Sequence, residues 1–231
     1  MGFFSSIKLG IKKYDSFFSI CFKIIKTKGF IMGKIITIGR EFGSGGREFG
    51  RRLAEKLGYA YYDSEIINEI CKGTKYSKEY IEQVSEKDPV PLFPIRYGNS
   101  FAIGPDPSVT MAMDVYKVQT SVLKEMASKS NCVIIGRAAD YILKDLKPFS
   151  IFVYACIESR IERCQKREKE NENFTFSQMK RKIKKIDKGR AKYYSFVSGK
   201  KWGDKNNYDL MINTSYTDIK RLVDMVTNLF E

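Results

Sequence analysis

The chain has 231 residues, with 41 Lys and Arg against 27 Asp and Glu for a net charge of +14, five cysteines and no histidine. This length suits one compact domain that needs neither disulfides nor a structural metal. The absence of histidine and of any C-x-x-C pair among Cys21, Cys71, Cys132, Cys156 and Cys164 excludes the usual zinc constellations and every histidine-based triad. A reduced cytoplasmic protein fits, one whose chemistry runs on Arg, Lys, Asp, Glu and a bound cation, and the positive charge predicts attraction to polyanions: nucleotides, nucleic acid or an acidic membrane surface.

Residues 1–31 form an N-terminal extension with two readings. Its longest apolar stretch, FFSICFKII, is interrupted by Lys23 and falls short of the roughly 20 apolar residues of a membrane span. Ile7, Tyr14, Phe18, Cys21 and Ile25 share one helical face, with Lys8, Lys12, Lys23 and Lys26 on another, as a membrane-surface helix would have them. The preferred reading is a dispensable tail or an over-long reading frame, because MGKIITIG from Met32 looks like a natural start. MGFFSS also resembles an acylation signal with Gly2 as acceptor.

From Lys34, KIITI reads as a strand, and REFGRRLAEKLG as a helix with Phe49, Leu53 and Leu57 on one face and Gly58 as the stop. YAYYD is a second strand ending in Asp63, and EIINEIC a helix. Between Asp88 and Pro107 lie five of the six prolines, which predicts an irregular, mobile substrate-binding insertion within about 64–120. Val109 to Ser128 reads as a helix, NCVIIGR as a third strand stopping at Gly136 and Arg137, and SIFVYA as a fourth. Glu158 to Lys188 reads as one or two helices, YDLMINTS as the last strand, and TDIKRLVDMVTNLF as a closing amphipathic helix capped by Thr217. Alternating strands and helices predict an α/β domain over 32–231: a three-layer parallel sheet of about five strands with helices on both faces. Ligands of such sheets sit at the carboxyl ends of the strands, where the glycine turn, Asp63, Arg137 and the loop before YDLMINTS are expected.

Between the first strand and helix stands IGREFGSGGREFG. A glycine turn here frees backbone amides to meet an anion at a helix N-terminus. Against the standard phosphate loop, G-x-x-x-x-G-K-[ST], the first glycine falls on Arg40, the lysine on Gly46 and the hydroxyl on Arg47, so three key positions depart. Alone, the turn supports a phosphate cradle and a plain strand-to-helix turn nearly equally.

The order of motifs resembles the cytidylate kinase-like family, a nucleoside monophosphate kinase group of P-loop kinases. IITIGREFGSGGREFGRRLAEKLGYAYYD is similar to its first strand, altered loop, helix and second strand; VIIGRAADYIL to its Gly-Arg element; IFVYACIESRIERCQKRE to the strand entering an arginine-rich lid; and IDKGRAKYYSFVSGKKWGDKNNYDLMINTS to its D-x-x-R segment, aromatic loop and last strand. The likeness lapses between Tyr76 and Thr110.

The resemblance implies transfer of the ATP γ-phosphate to CMP or dCMP, giving ADP and CDP or dCDP, with Mg2+ between the phosphates. It implies a donor cradle of Gly39, Arg40, Glu41, Phe42, Gly43, Ser44, Gly45, Gly46 and Arg47, with Arg47 or Arg40 replacing the lysine. Ser44 and Asp63 are the candidate magnesium ligands, Asp63 also lying beside the acceptor. Arg137 is implied to grip the monophosphate and Asp140 to read the base, although Asp140 stands one residue beyond the family's aspartate. Arg163, Arg167 and Arg190 are implied to close from a mobile lid over about 163–207, with Asp187 orienting Arg190. Tyr193, Tyr194 and Trp202 are candidates for base stacking or for core. Three rivals stay open: a regulatory nucleotide-binding protein without turnover, a kinase of another small acceptor, and a basic nucleic-acid-binding protein using residues 166–192; the kinase reading requires no nucleic acid.

Overall fold

The computed structural model describes residues 35–82, 84, 107–167 and 174–230. The N-terminal extension, most of the proline-rich insertion and the start of the lid segment lie outside the described residues. Strands β1 (Ile35–Arg40), β2 (Ala60–Tyr62), β3 (Cys132–Ile135), β4 (Phe149–Tyr154) and β5 (Leu210–Asn213) form one parallel sheet in the order β2-β3-β1-β4-β5. β1 is central, with Ile38 opposite Ile135 on one side and Ile151 on the other.

The helices are α1 (Gly46–Leu57), α2 (Ser64–Lys72), α3 (Lys78–Glu82), α4 (Pro107–Lys129), α5 (Ala139–Ile142), α6 (Ile157–Arg167), α7 (Phe176–Ser198) and α8 (Ile219–Thr227). Strand side chains alternate between faces, so each strand feeds two cores. Ile36, Ile38, Val133 and Ile135 pack with Phe49 and Leu53 of α1 and Val223 of α8. Ile35, Cys132 and Ile134 pack on the other face with Ile66 and Ile70 of α2 and Leu123 of α4. Burying side chains such as Phe49 and Leu53, both fully enclosed, stabilises by about 1.5–3 kcal/mol each.

Four expectations shift. α4 begins at Pro107 rather than Val109, since a proline fits the first helical turn. The Glu158 to Lys188 region holds two helices, within the one or two that the sequence predicts, but the second, α7, runs on to Ser198 from a capping box between Thr175 and Gln178. The cap of α8 is Asp218, whose carboxylate accepts from Lys220 N–H, not Thr217. Finally, the loop before β5 reaches the amino end of the sheet: Asp209 N–H donates to Ser150 O at 2.8 Å, and the Asp209 carboxylate accepts from Ser150 N–H at 2.7 Å. A parallel strand must be entered from that end, so only the side chains of Trp202 and Tyr208 reach the cleft at the site.

Candidate active site

The turn between β1 and α1 is locked by its own polar groups. Ser44, fully buried, donates its hydroxyl to Glu41 O at 2.8 Å and accepts from Gly46 N–H at 3.3 Å. Gly43 and Gly45 have φ of 77° and 81°, the left-handed region that favours glycine. Among the described residues no hydrogen bond takes the amides of Gly43, Gly45 or Arg47. Three amides at a turn that opens a helix form an anion seat.

Gly46 occupies the register of the standard lysine, and a Cβ there would lie 2.5 Å from Arg40 Cβ and 3.2 Å from Val153 Cβ. The close fit of α1 against β1 and β4 leaves that position no side chain, which explains the missing lysine. Arg47 turns to Asp63, its Nε 2.5 Å from the carboxylate, with its side chain 62% exposed. Asp63 is itself buried at the end of β2, and its charge together with burial pushes the Tyr61 hydroxyl up to about 12.

The turn is held from behind by α6 and α7. Arg160, 6% exposed, donates from Nε to Phe42 O at 2.7 Å and pairs with Glu41 at 3.0 Å and with Asp187. Asp187 also accepts from Phe42 N–H at 2.8 Å. Burial raises the Glu41 carboxyl, an effect opposed by Arg160 and by the Ala155 N–H it accepts. Arg163 donates to Ser44 O at 3.3 Å and to both oxygens of Thr214, tying the turn to the end of β5. Arg167 pairs with Glu48 at 3.2 Å on the surface. Asp187 is thus engaged by Arg160 and the turn, while Arg190 donates to Arg40 O at 3.0 Å and lies over the Phe42 ring.

At the ends of β1 and β3 is a cleft lined by Arg40, Arg137, Arg190, Asp140, Tyr194 and Trp202, among others. Arg40 and Arg137 are 6% and 5% exposed. Gly136, Arg137 and Ala138 all have positive φ, and a Cβ on Gly136 would lie 1.6 Å from Arg40 Nη1, so the turn after β3 is shaped around that guanidinium. Two successive non-glycine residues in this region are strained and cluster at functional sites. Gln119, fully buried, holds the turn by donating to Arg137 O at 3.1 Å and to Tyr193 OH at 2.6 Å. Asp140 accepts from Tyr194 OH at 2.7 Å; burial raises its carboxyl against that hydrogen bond, and burial with the Asp140 charge raises the Tyr194 hydroxyl.

Residues 35–216 match the cytidylate kinase-like family. The chain belongs to that family. A cytidylate kinase of Methanopyrus kandleri is 26% identical to it over 196 residues, 80% of this chain and 87% of the relative. Among solved structures, an uncharacterized protein from Eubacterium ventriosum shares 26% identity with a TM-score of 0.61, over 85% of this chain and 97% of that one. A shikimate kinase from Bacteroides thetaiotaomicron, 13% identical over 84% of this chain and 97% of its own, has a TM-score of 0.51 and shares the fold.

In this cytidylate kinase-like chain the residues singled out from sequence divide into three groups. Gly43, Gly45, Gly46 and Arg47 form the amide turn at the head of α1, next to Asp63. Arg40, from the same motif, lines the cleft with Arg137, Asp140 and Arg190, and Gly39 contributes to that wall. Glu41, Phe42, Arg163 and Asp187 belong to the scaffold that fixes the turn. Sequence reasoning missed Arg160, Gln119 and Thr214. Arg160 sits three residues before Arg163 in a helix rich in charge, and only its burial distinguishes it.

Among the described residues there is no cluster of three or more metal-ligating side chains. Ser44 does not fit a magnesium ligand, because its hydroxyl is enclosed and engaged as donor and acceptor within the turn. Asp63 offers a single carboxylate, the complement magnesium commonly takes beside substrate phosphates, but Arg47 engages both of its oxygens, so it would meet the ion through waters or on release of Arg47. No described helix is long and apolar enough to cross a membrane.

Proposed function

We propose that the protein transfers the γ-phosphoryl group of ATP to CMP or dCMP. The observation that supports the reading is that an amide turn with N–H groups unbonded among the described residues and a cleft lined by Arg40, Arg137 and Arg190 both open at the carboxyl end of β1. Phosphoryl transfer asks the protein for alignment and cancellation of charge rather than for covalent chemistry. Fixed amides and guanidinia provide that without reorganising as the transition state forms.

In this reading the amides of Gly43, Gly45 and Arg47 seat the donor phosphates. Arg137 and Arg40 grip the acceptor monophosphate, where a planar guanidinium can meet two oxygens at once. An acceptor phosphate oxygen attacks the γ-phosphorus as the bond to the β,γ-bridging oxygen breaks, and ADP leaves. Arg190 lines the cleft, bonded to Arg40 O, and lies over the ring of Phe42 from the turn. Asp140 at the cleft, with its partner Tyr194, supports recognition of a base bearing an exocyclic amine, which is what separates cytosine from uracil. Magnesium supplies charge neutralisation on the transferring phosphates, and Asp63 is the residue that would hold it or its waters.

The test is magnesium-dependent ADP release with ATP and each common nucleoside monophosphate in parallel. Turnover with CMP or dCMP well above the others is the expected result; ATP binding without any acceptor-dependent release would replace the proposal with a regulatory role.

A further inference from the structure

Helix α7 carries eight basic residues and one acid, Asp187, which is committed to Arg160 and Phe42. The site-facing side of the helix presents Met179, Ile183, Asp187, Arg190 and Tyr194, which are buried or half-buried. At 100° per residue, Arg181, Lys184, Lys185 and Lys188 fall on the opposite side, and all four are exposed. The positive charge of this segment therefore faces away from the phosphate turn, and closing a lid over nucleotides does not account for it.

On the other described helices many cations are matched by carboxylates, as Arg51 is with Glu55, Arg52 with Glu48, Lys56 with Asp224, Lys129 with Glu125 and Lys166 with Glu162, and the exposed cations without such a match, Lys78, Lys124, Lys220 and Arg221, do not gather four to one helix face. None of the four cations on α7 makes an ion pair with another described residue. They stand instead at spacings of three and four, where like charges repel and weaken the helix. The row from Arg181 to Lys188 is about 10 Å long at 1.5 Å per residue.

We infer that this face of α7 binds the phosphodiester backbone of a nucleic acid, independently of sequence and apart from the phosphoryl-transfer site. A narrow row of unmatched cations complements a line of phosphates. The stripe holds no exposed aromatic or aliphatic side chain: the one large apolar group exposed on α7 is Phe176, at its first residue. Nothing in the stripe could therefore insert into a bilayer or stack on a base, which favours nucleic-acid backbone over a lipid surface and predicts no preference for base sequence.

The experiment measures binding of the full-length protein to a short labelled duplex DNA, by anisotropy across a salt series. It compares wild type with two variants of equal charge change: R181Q/K184Q/K185Q/K188Q, and R51Q/K72Q/K129Q/K166Q as control. The stripe variant should lose at least tenfold in affinity, and its log–log salt slope should fall by about 3 to 4, from 0.9 counterions released per phosphate contact, while the control stays near wild type. ADP release should be unchanged in the stripe variant, which separates failure of this inference from failure of the kinase reading. Equal losses in both variants would reduce the effect to net charge and overturn the inference. So would undetectable DNA binding by wild type, or binding to phosphatidylserine vesicles but not DNA that the stripe variant abolishes.

Discussion

Arg160 and Asp187 together hold both backbone groups of one residue: Arg160 Nε donates to Phe42 O at 2.7 Å, and Asp187 accepts Phe42 N–H at 2.8 Å. The pair joins α6 and α7 to the glycine turn, so the turn's shape is set by contacts outside it. Arg160→Ala leaves the carboxylates of Glu41 and Asp187 facing each other without their shared cation. Removing one member of a buried pair should destabilise by about 3 kcal/mol, read by urea unfolding. ATP affinity should fall with it, read by titration calorimetry, whereas Arg160→Lys should recover part of the stability. A stability change within experimental error would show that the pair does not hold the turn.

Restoring the standard lysine should harm the protein. In Gly46→Lys the new Cβ meets Arg40 Cβ at 2.5 Å, an atom next to the backbone that cannot swing aside. Overpacking of this kind costs about 1–3 kcal/mol, so the melting temperature and ADP release should both drop. A gain in turnover would mean that the turn relaxes around a side chain, contrary to the fit described.

The sheet was legible because its signals are local. IITI, CVII and IFVY are apolar runs of strand length between helical patterns, and the helices carry their own punctuation in Gly58 and in the periodic apolar face of α8. The site was only partly legible, because sequence position does not say which side of a strand end a long side chain takes. Arg40 and Arg47 flank the same turn; burial against Gly136 sends one to the cleft, and Asp63 draws the other toward β2. Arg160 and Arg163 look alike in a polar helix until the fold buries the first, and Gln119 gains its importance from two partners distant in sequence.

Arg137→Ala and Arg40→Ala should each weaken the acceptor more than the donor. Hydrogen bonds between charged groups contribute about 1.5–3 kcal/mol, which corresponds to a 10- to 150-fold rise in the KM for CMP with the KM for ATP changed little. Steady-state kinetics with one substrate varied at a time separates the two. If Arg40→Ala raises the KM for ATP instead, Arg40 belongs to the donor cradle that its place in the motif implied.

Asp140 ties stability to pH. Its carboxyl is raised by burial, so the native state holds the proton to higher pH than the unfolded chain does. The stability linked to this group is therefore full below the ordinary carboxylate range and is lost as pH rises through the native value. Asp140→Asn keeps an acceptor for Tyr194 OH but does not ionise. The stability of wild type relative to Asp140→Asn should decline as pH rises from the ordinary aspartate range toward neutrality, measured by urea unfolding across pH. A difference independent of pH would show that the carboxyl is not raised. In the same variant, loss of the anionic acceptor should narrow the preference for CMP over UMP while the KM for ATP holds, because Asp140 lines the cleft and Gly43, Gly45 and Arg47 of the amide turn do not.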